Sequence, residues 1–165
     1  MIACVDVHYR DPGAVAGCVL LRDWPDEHPA AELVERLGRV EPYRSGAFYL
    51  RELPGLLAVL RRVTDPLSAV VIDSYVWLGD ETAPGLGAHL FEALGRGVPV
   101  VGVAKSRFRS ATAAVAVTRG GSARPLFVSA AGIPLDQAAG HVRAMHGPFR
   151  LPTALKRVDR LCRGG

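Results

Sequence analysis

Two aspartates stand inside the most apolar stretches of this 165-residue sequence. Asp6 lies within the apolar run over residues 2–9, and Asp73 lies near the end of the run over residues 68–75. A buried, ionised carboxylate is costly unless it is paired, hydrogen-bonded or bound to a metal. If the two runs form neighbouring central strands, these carboxylates repel each other unless a cation lies between them. Mg²⁺ suits that position because it prefers oxygen ligands.

The same residues also fit a structural interpretation. A lone aspartate near a strand end often bonds to a main-chain N–H or helps to form a turn. Glu52 opens a predicted helix, where a carboxylate in the first turn is favoured by the helix dipole. The pattern alone therefore does not select Glu52 as a third ligand, and it leaves both interpretations of the aspartates open.

The elements that must position these residues alternate between strands and helices. Residues 2–9 and 14–21 predict an antiparallel hairpin, because a turn-forming segment with Pro12 and Gly13 separates them. Further strands are predicted over 68–75, 98–104, 113–117 and 125–129, and helices over 50–63, 85–94, 135–145 and 152–161. Residues 32–40 fit a helix or a strand. The order predicts an α/β fold with a mixed sheet, an antiparallel first hairpin followed by parallel strands, flanked by helices.

Composition narrows the class of protein. The chain is 49% hydrophobic and 22% charged, which is typical of a globular protein, and no internal repeat or linker divides it, so we expect one domain over residues 1–165. The net charge of +4 is compatible with a polyanionic partner. We find no membrane-length apolar run and no signal peptide, so the expected location is the cytoplasm. The three cysteines lack metal-ligand spacing and are expected to be free thiols.

Several segments, in order, resemble the endonuclease V family. The more specific ones are residues 42–52, Pro-Tyr-Arg-Ser-Gly-Ala-Phe-Tyr-Leu-Arg-Glu, and residues 101–106, Val-Gly-Val-Ala-Lys-Ser. The similarity covers most of the chain, because it also includes Asp6 in the first strand, Ile72-Asp73, and residues 125–129 and 151–161.

The resemblance implies a ribonuclease-H-like fold and a hydrolase of DNA or RNA. It implies Mg²⁺-dependent cleavage, with Mn²⁺ able to substitute, of a phosphodiester bond near a deaminated base, chiefly inosine, as in DNA repair. By position, the metal-binding and catalytic carboxylates are Asp6, Glu52 and Asp73. Lys105 is expected near the site as a catalytic, phosphate-contacting cation.

Three further residues are expected at the nucleic acid through the same resemblance. Tyr43 falls in the loop that wedges into the strand near the lesion, and Arg51 belongs to the Arg-Glu segment. Asp159 falls where the family tends to carry an Asp or His close to the metals.

The sequence departs from the family pattern after Asp73. The family reads Gly-x-Gly and then a His-Pro-Arg segment, whereas residues 74–81 here are Ser-Tyr-Val-Trp-Leu-Gly-Asp-Glu. We expect Tyr75, Val76 and Trp77 to reshape or fill the base pocket, so metal binding is predicted more strongly than inosine specificity. Relatives carry a leading helical segment before the first strand, and this sequence is expected to be a divergent, N-terminally short member.

Two other hypotheses remain at this level. One is a nucleic-acid-binding module that keeps the fold but has lost efficient cleavage or inosine specificity, and it is motivated by the altered residues 74–81. The other is an unrelated metal-dependent hydrolase or a structural α/β protein.

Overall fold

A computed structural model of the protein describes residues 1–10, 12–38 and 48–164. Its strands are β1 (Ile2–Arg10), β2 (Gly13–Leu21), β3 (Ala31–Leu37), β4 (Ala69–Ile72), β5 (Val100–Ala104), β6 (Val115–Val117) and β7 (Leu126–Ala131). Its helices are α1 (Phe48–Leu60), α2 (Leu86–Ala93), α3 (Leu135–Ala144) and α4 (Thr153–Arg163). Within the described ranges, none of these helices is long and apolar enough to cross a membrane.

The strands form one mixed sheet in the order β3-β2-β1-β4-β5-β7-β6. β1 and β2 pair antiparallel, and β1, β4 and β5 run parallel, which confirms the predicted hairpin and the predicted parallel strands. β7 pairs antiparallel with both β5 and β6. The undecided segment 32–40 contributes a strand, because β3 pairs with the open edge of β2 and so satisfies its main chain there.

Helices cover both faces of this sheet and create two apolar layers. Helices α1 and α2 pack on one face, and α3 and α4 pack on the other. Alternation along β1 sends Ala3, Val5 and Val7 toward α1, and Ile2 and Cys4 toward α4. The central strands need apolar residues on both sides, which explains their continuous apolar sequence.

The three cysteines are free thiols, as predicted, and all three are buried: Cys4, Cys18 and Cys162. Burial raises the pKa of the Cys18 and Cys162 thiols to about 12. Both thiols are therefore protonated at neutral pH and act as small apolar groups.

The strand predicted over residues 68–75 was too long at its end. β4 stops at Ile72, and residues 74–76 turn onto β5 instead. Gly102 makes this crossing possible, because a Cβ at that position would lie 2.5 Å from the Ser74 main-chain oxygen and 2.9 Å from the Val76 nitrogen. As a result, Asp73 comes directly after the carboxyl end of a buried central strand.

Candidate active site

Asp6 and Asp73 occupy equivalent places on two adjacent parallel strands. The pairing of β1 with β4 ends at Val5 and Ile72, so the two aspartates are the next residues on each chain. Side-chain alternation along β1 gives Asp6 the face of the sheet that carries Cys4. The charge of Asp73 is close enough to raise the pKa of Asp6.

Glu52 reaches the same place from the helical layer on the other face. It lies in α1, and only 7% of the residue is exposed. One cavity of about 160 Å³ is lined by Glu52 together with Asp6 and Asp73. Its apolar walls include Leu56 and Ile72. Three carboxylates that are far apart in sequence therefore border one small space.

The surroundings of Asp6 and Glu52 only partly offset the cost of burying their charges. Burial raises the pKa of Asp6 to about 6, against the opposing effect of a 2.9 Å hydrogen bond from the Val7 N–H to its Oδ1. Burial also raises the pKa of Glu52 to about 7. The Tyr9 hydroxyl lies near enough to oppose this rise, although its buried oxygen makes no hydrogen bond of normal geometry.

Lys105 supplies positive charge at this cavity. It follows the last residue of β5, and its Nζ forms a salt bridge with Asp73 Oδ2. The Arg150 guanidinium donates to the main-chain oxygen of Lys105 and, at 2.8 Å, to that of Pro125. The lysine backbone is thus fixed, while its side chain remains half exposed.

The residues fit a hydrated divalent cation better than a preformed cage. Within the described ranges, no group of three His, Cys, Asp or Glu side chains is arranged to hold a metal ion. Mg²⁺ often uses only one or two carboxylates and keeps several waters, which the oxygen donors here can accommodate. Each water needs roughly 10–15 Å³ of accessible volume, so a cavity of about 160 Å³ has room for an ion and part of its water shell.

Sequence comparison identifies the family. The endonuclease V family profile matches residues 1–121. The endonuclease V of Streptomyces coelicolor is 32% identical over 181 residues, an alignment that spans 96% of this chain and 76% of that protein. The chain belongs to the endonuclease V family.

Solved endonuclease V structures share the fold. The enzyme of Streptomyces avermitilis is 28% identical, with a TM-score of 0.78 over 98% of this chain and 79% of that one. The enzyme of Ciona intestinalis, solved with a 23mer DNA containing an inosine followed by a ribo-adenosine, reaches a TM-score of 0.80 at 18% identity, over 98% and 83% of the two chains. These matches confirm the predicted ribonuclease-H-like mixed sheet.

The remaining residues predicted from the endonuclease V pattern have different surroundings. Tyr43 lies outside the described residues. The Arg51 guanidinium carbon lies 3.7 Å from the centroid of the Tyr9 ring. Asp159, on α4, pairs with Arg163 at 2.9 Å and is close enough to Asp6 to raise its pKa. Arg51 is likewise close enough to Glu52 for its charge to lower the pKa of that carboxyl. Arg51 and Asp159 therefore both lie near the carboxylates.

The segment that departs from the endonuclease V pattern is packed into the fold. Tyr75 is 8% exposed and Val76 is fully buried. The Tyr75 hydroxyl donates to the Ser106 main-chain oxygen at 2.8 Å and accepts the Phe108 N–H at 3.1 Å. Trp77 Nε1 donates to the Ala130 main-chain oxygen at 2.8 Å. Large side chains, two of them with specific hydrogen-bond partners, thus occupy the segment in which the family pattern has Gly-x-Gly.

Sequence reasoning missed two residues that shape the site, Tyr9 and Arg150, and the contacts of a third, Tyr75. Tyr9 could have been found by alternation along the first strand, since it shares a face with Val5 and Val7. Tyr75 was expected only to fill space, and its hydroxyl contacts have no sequence signal. Arg150 has no sequence signal that distinguishes it from other basic residues, and only the fold brings it to Lys105.

Proposed function

We propose that this protein is a divalent-metal-dependent endonuclease that hydrolyses a phosphodiester bond near a deaminated base, chiefly inosine, in DNA or RNA. The observation that carries the proposal is the shared cavity of Asp6, Glu52 and Asp73 beside Lys105. Membership of the endonuclease V family, and a relative solved with inosine-containing DNA, support the choice of substrate.

In this proposal the three carboxylates hold Mg²⁺, and Mn²⁺ can replace it. The raised pKa values of Asp6 and Glu52 favour this role, because a cation would stabilise the ionised forms that burial disfavours. When bound, the metal would lower the pKa of a water molecule and offset charge on the phosphate.

Lys105 is proposed to bind a phosphate oxygen of the substrate. A nucleic acid that approaches three carboxylates meets like charge, so the site needs a cation of its own. Lys105 is already at Asp73, and its half-exposed side chain can reach solvent. Its ammonium would also stabilise the additional negative charge that develops on the phosphate during hydrolysis.

A second candidate is a nucleic-acid-binding protein that does not cut efficiently. It is favoured by the packed residues Tyr75 and Val76, which fill space in the segment where the family pattern has glycines. In that case, recognition of an extruded base would be lost while binding of the strand remains.

The experiment compares cleavage by three proteins: wild type, Glu52→Gln and Glu92→Gln. Glu52→Gln removes the charge with little change in shape, and Glu92→Gln is a matched control on the surface, where Glu92 pairs with Arg96. Each is incubated with Mg²⁺ or Mn²⁺ and end-labelled DNA and RNA, with inosine or with adenosine at one position. Parallel samples contain EDTA.

We expect metal-dependent cleavage near inosine by wild type and Glu92→Gln, and none by Glu52→Gln. Equal cleavage of the adenosine strands would contradict base specificity while supporting a nuclease. Tight binding without cleavage by wild type would favour the second candidate. Cleavage that survives in Glu52→Gln would contradict the assigned site.

A further inference from the structure

The loop that leaves β5 beside the cavity presents an aromatic ring between two cations. This Phe108 loop comprises residues 105–110, and the side chains of Arg107, Phe108 and Arg109 are all exposed. Phe108 is 48% exposed. A single exposed apolar residue is ordinary on a protein surface. A phenyl ring flanked by guanidinium groups has, in addition, the composition of a surface that binds nucleotides.

The exposure of Phe108 does not come from a loosely attached loop. Tyr75 holds the Ser106 oxygen and the Phe108 N–H through its hydroxyl. Ser110 Oγ donates to the Leu78 main-chain oxygen at 3.0 Å, and the Ala113 N–H donates to that of Gly79 at 3.0 Å. Residues of the segment that departs from the family pattern thus support this loop.

The loop is anchored at the proposed cleavage site. Its first residue, Lys105, pairs with Asp73, and its support, Tyr75, is two residues beyond Asp73. Phe108 is three positions after Lys105, a span of at most about 11 Å. A nucleotide adjacent to a phosphate at Lys105 is therefore within reach of the Phe108 ring.

The chemistry of this loop suits an unpaired strand. A base stacks on an aromatic side chain through its face, which is available in a single strand and covered in a duplex. Every base has such a face, so the contact tolerates any sequence, while arginines bind phosphate oxygens. The centroids of the Tyr75 and Phe108 rings are 6.3 Å apart, so Tyr75 supports the ring without covering it completely.

We infer that Arg107, Phe108 and Arg109 form a subsite that binds an unpaired nucleotide next to the scissile phosphate, by stacking on Phe108 and by phosphate contacts of the arginines. This inference rests on the proposed function, since it gives the same nuclease site a preference for unpaired DNA or RNA. It also gives residues 74–79 a role: they position a stacking surface.

The test measures binding by fluorescence anisotropy in EDTA, where no cleavage interferes. The probes are a labelled unpaired DNA strand, the RNA of the same sequence, the corresponding duplex, and the DNA strand with abasic residues. Phe108→Ala is expected to weaken binding to both unpaired strands roughly tenfold. It is expected to change binding to the duplex and to the abasic strand by less than about twofold, since those probes offer no free base to stack.

Two variants serve as controls. Phe108→Trp keeps an aromatic face and is expected to restore wild-type affinity. Phe149→Ala removes an equally exposed ring, 59% exposed and covered by the Lys156 ammonium at 3.8 Å, and is expected to bind all probes like wild type.

Three results would overturn the subsite: unchanged affinity of Phe108→Ala for unpaired strands, an equal loss on abasic or duplex probes, or an equal loss in Phe149→Ala. The proposed function fails separately. If wild type cuts normally and Phe108→Ala binds unpaired strands normally, the proposed nuclease function stands and the subsite is contradicted. If wild type never cuts but Phe108→Ala still binds unpaired strands more weakly, the subsite stands and the proposed nuclease function is contradicted.

Discussion

Glu52 and Arg119 are both charged side chains held within the fold, but their surroundings differ. Arg119 donates to four main-chain oxygens that belong to the segment between α3 and α4, those of Met145, Gly147, Phe149 and Arg150. Glu52 has instead an apolar wall, a tyrosine hydroxyl without a regular hydrogen bond, and the like charge of Asp6, and the opposite charge of Arg51 does not offset its burial.

The difference separates a structural use of buried charge from a functional one. At Arg119 the protein supplies four main-chain oxygens for the two terminal nitrogens, and these bonds fix the connection between α3 and α4. The guanidinium is not fully compensated, because its Nε has no partner among the described residues and burial lowers its pKa. At Glu52 and Asp6 burial disfavours the ionised carboxylates, and we propose that a bound cation stabilises them. Incomplete compensation of this kind is typical of sites that bind a ligand or perform chemistry.

The largest expected effect is on cleavage by Asp6→Asn and Glu52→Gln. Each change removes a charge needed to hold the metal, so we expect activity to fall at least on the order of 10²-fold. The melting temperature without metal should stay constant or rise, because a poorly compensated buried charge has been removed. Cleavage rates and thermal melting in EDTA check both parts. A variant with a lower melting temperature and wild-type activity would show that the carboxylate has a structural role instead.

Arg119→Ala is expected to show the opposite combination. It leaves several carbonyl oxygens without their donor, and we expect a loss of about 3 kcal/mol in the free energy of unfolding. Arg119→Lys, with a single ammonium, should recover only part of it. Urea denaturation measures the loss, and calorimetry of Mn²⁺ binding by the folded variant should give the wild-type affinity. A weaker metal affinity would show that the two regions are coupled.

A third effect is the pH dependence of stability without metal. The carboxyls of Asp6 and Glu52 have ordinary pKa values of 3.8 and 4.5, which the fold raises to about 6 and about 7. Between the ordinary and the raised pKa values, the folded protein binds more protons than the unfolded chain. The free energy of unfolding therefore falls as the pH rises through this range, and it levels off above the raised values.

Urea denaturation in EDTA at about pH 5 and about pH 8 tests this sign. Mg²⁺ should reduce the difference by stabilising the protein at the higher pH. The double variant Asp6→Asn, Glu52→Gln should lose most of the dependence. Stability that increases over the same window in wild type would contradict the assigned cause.

The sequence predicted the parts of the molecule that depend on apolar pattern. Continuous apolar runs gave β1, β4 and β5, and the family motifs gave Asp6, Glu52, Asp73 and Lys105 as candidates. The pattern could not decide residues 32–40, because the strand there depends on pairing with β2. It also extended β4 to residue 75, because Tyr75 and Val76 are buried by packing outside the sheet.

Contacts between distant segments were beyond sequence reasoning. The hydrogen bond from Arg150 to Lys105 joins residues 45 positions apart, and that from Tyr75 to Ser106 joins residues 31 positions apart. Each is one polar side chain that meets a main-chain oxygen, which no composition or periodicity marks. The Phe108 loop likewise has the sequence of an ordinary basic segment, and only the structure shows that Tyr75 supports it.

The most direct test of the account is a crystal of the protein soaked in Mn²⁺, with anomalous scattering used to locate the metal. We predict a peak in the cavity, within coordination distance of carboxylate oxygens of Asp6 or Asp73. Crystals of the double variant Glu52→Gln, Asp73→Asn should show no such peak. Manganese found only elsewhere on the wild-type protein, with this cavity empty, would contradict it.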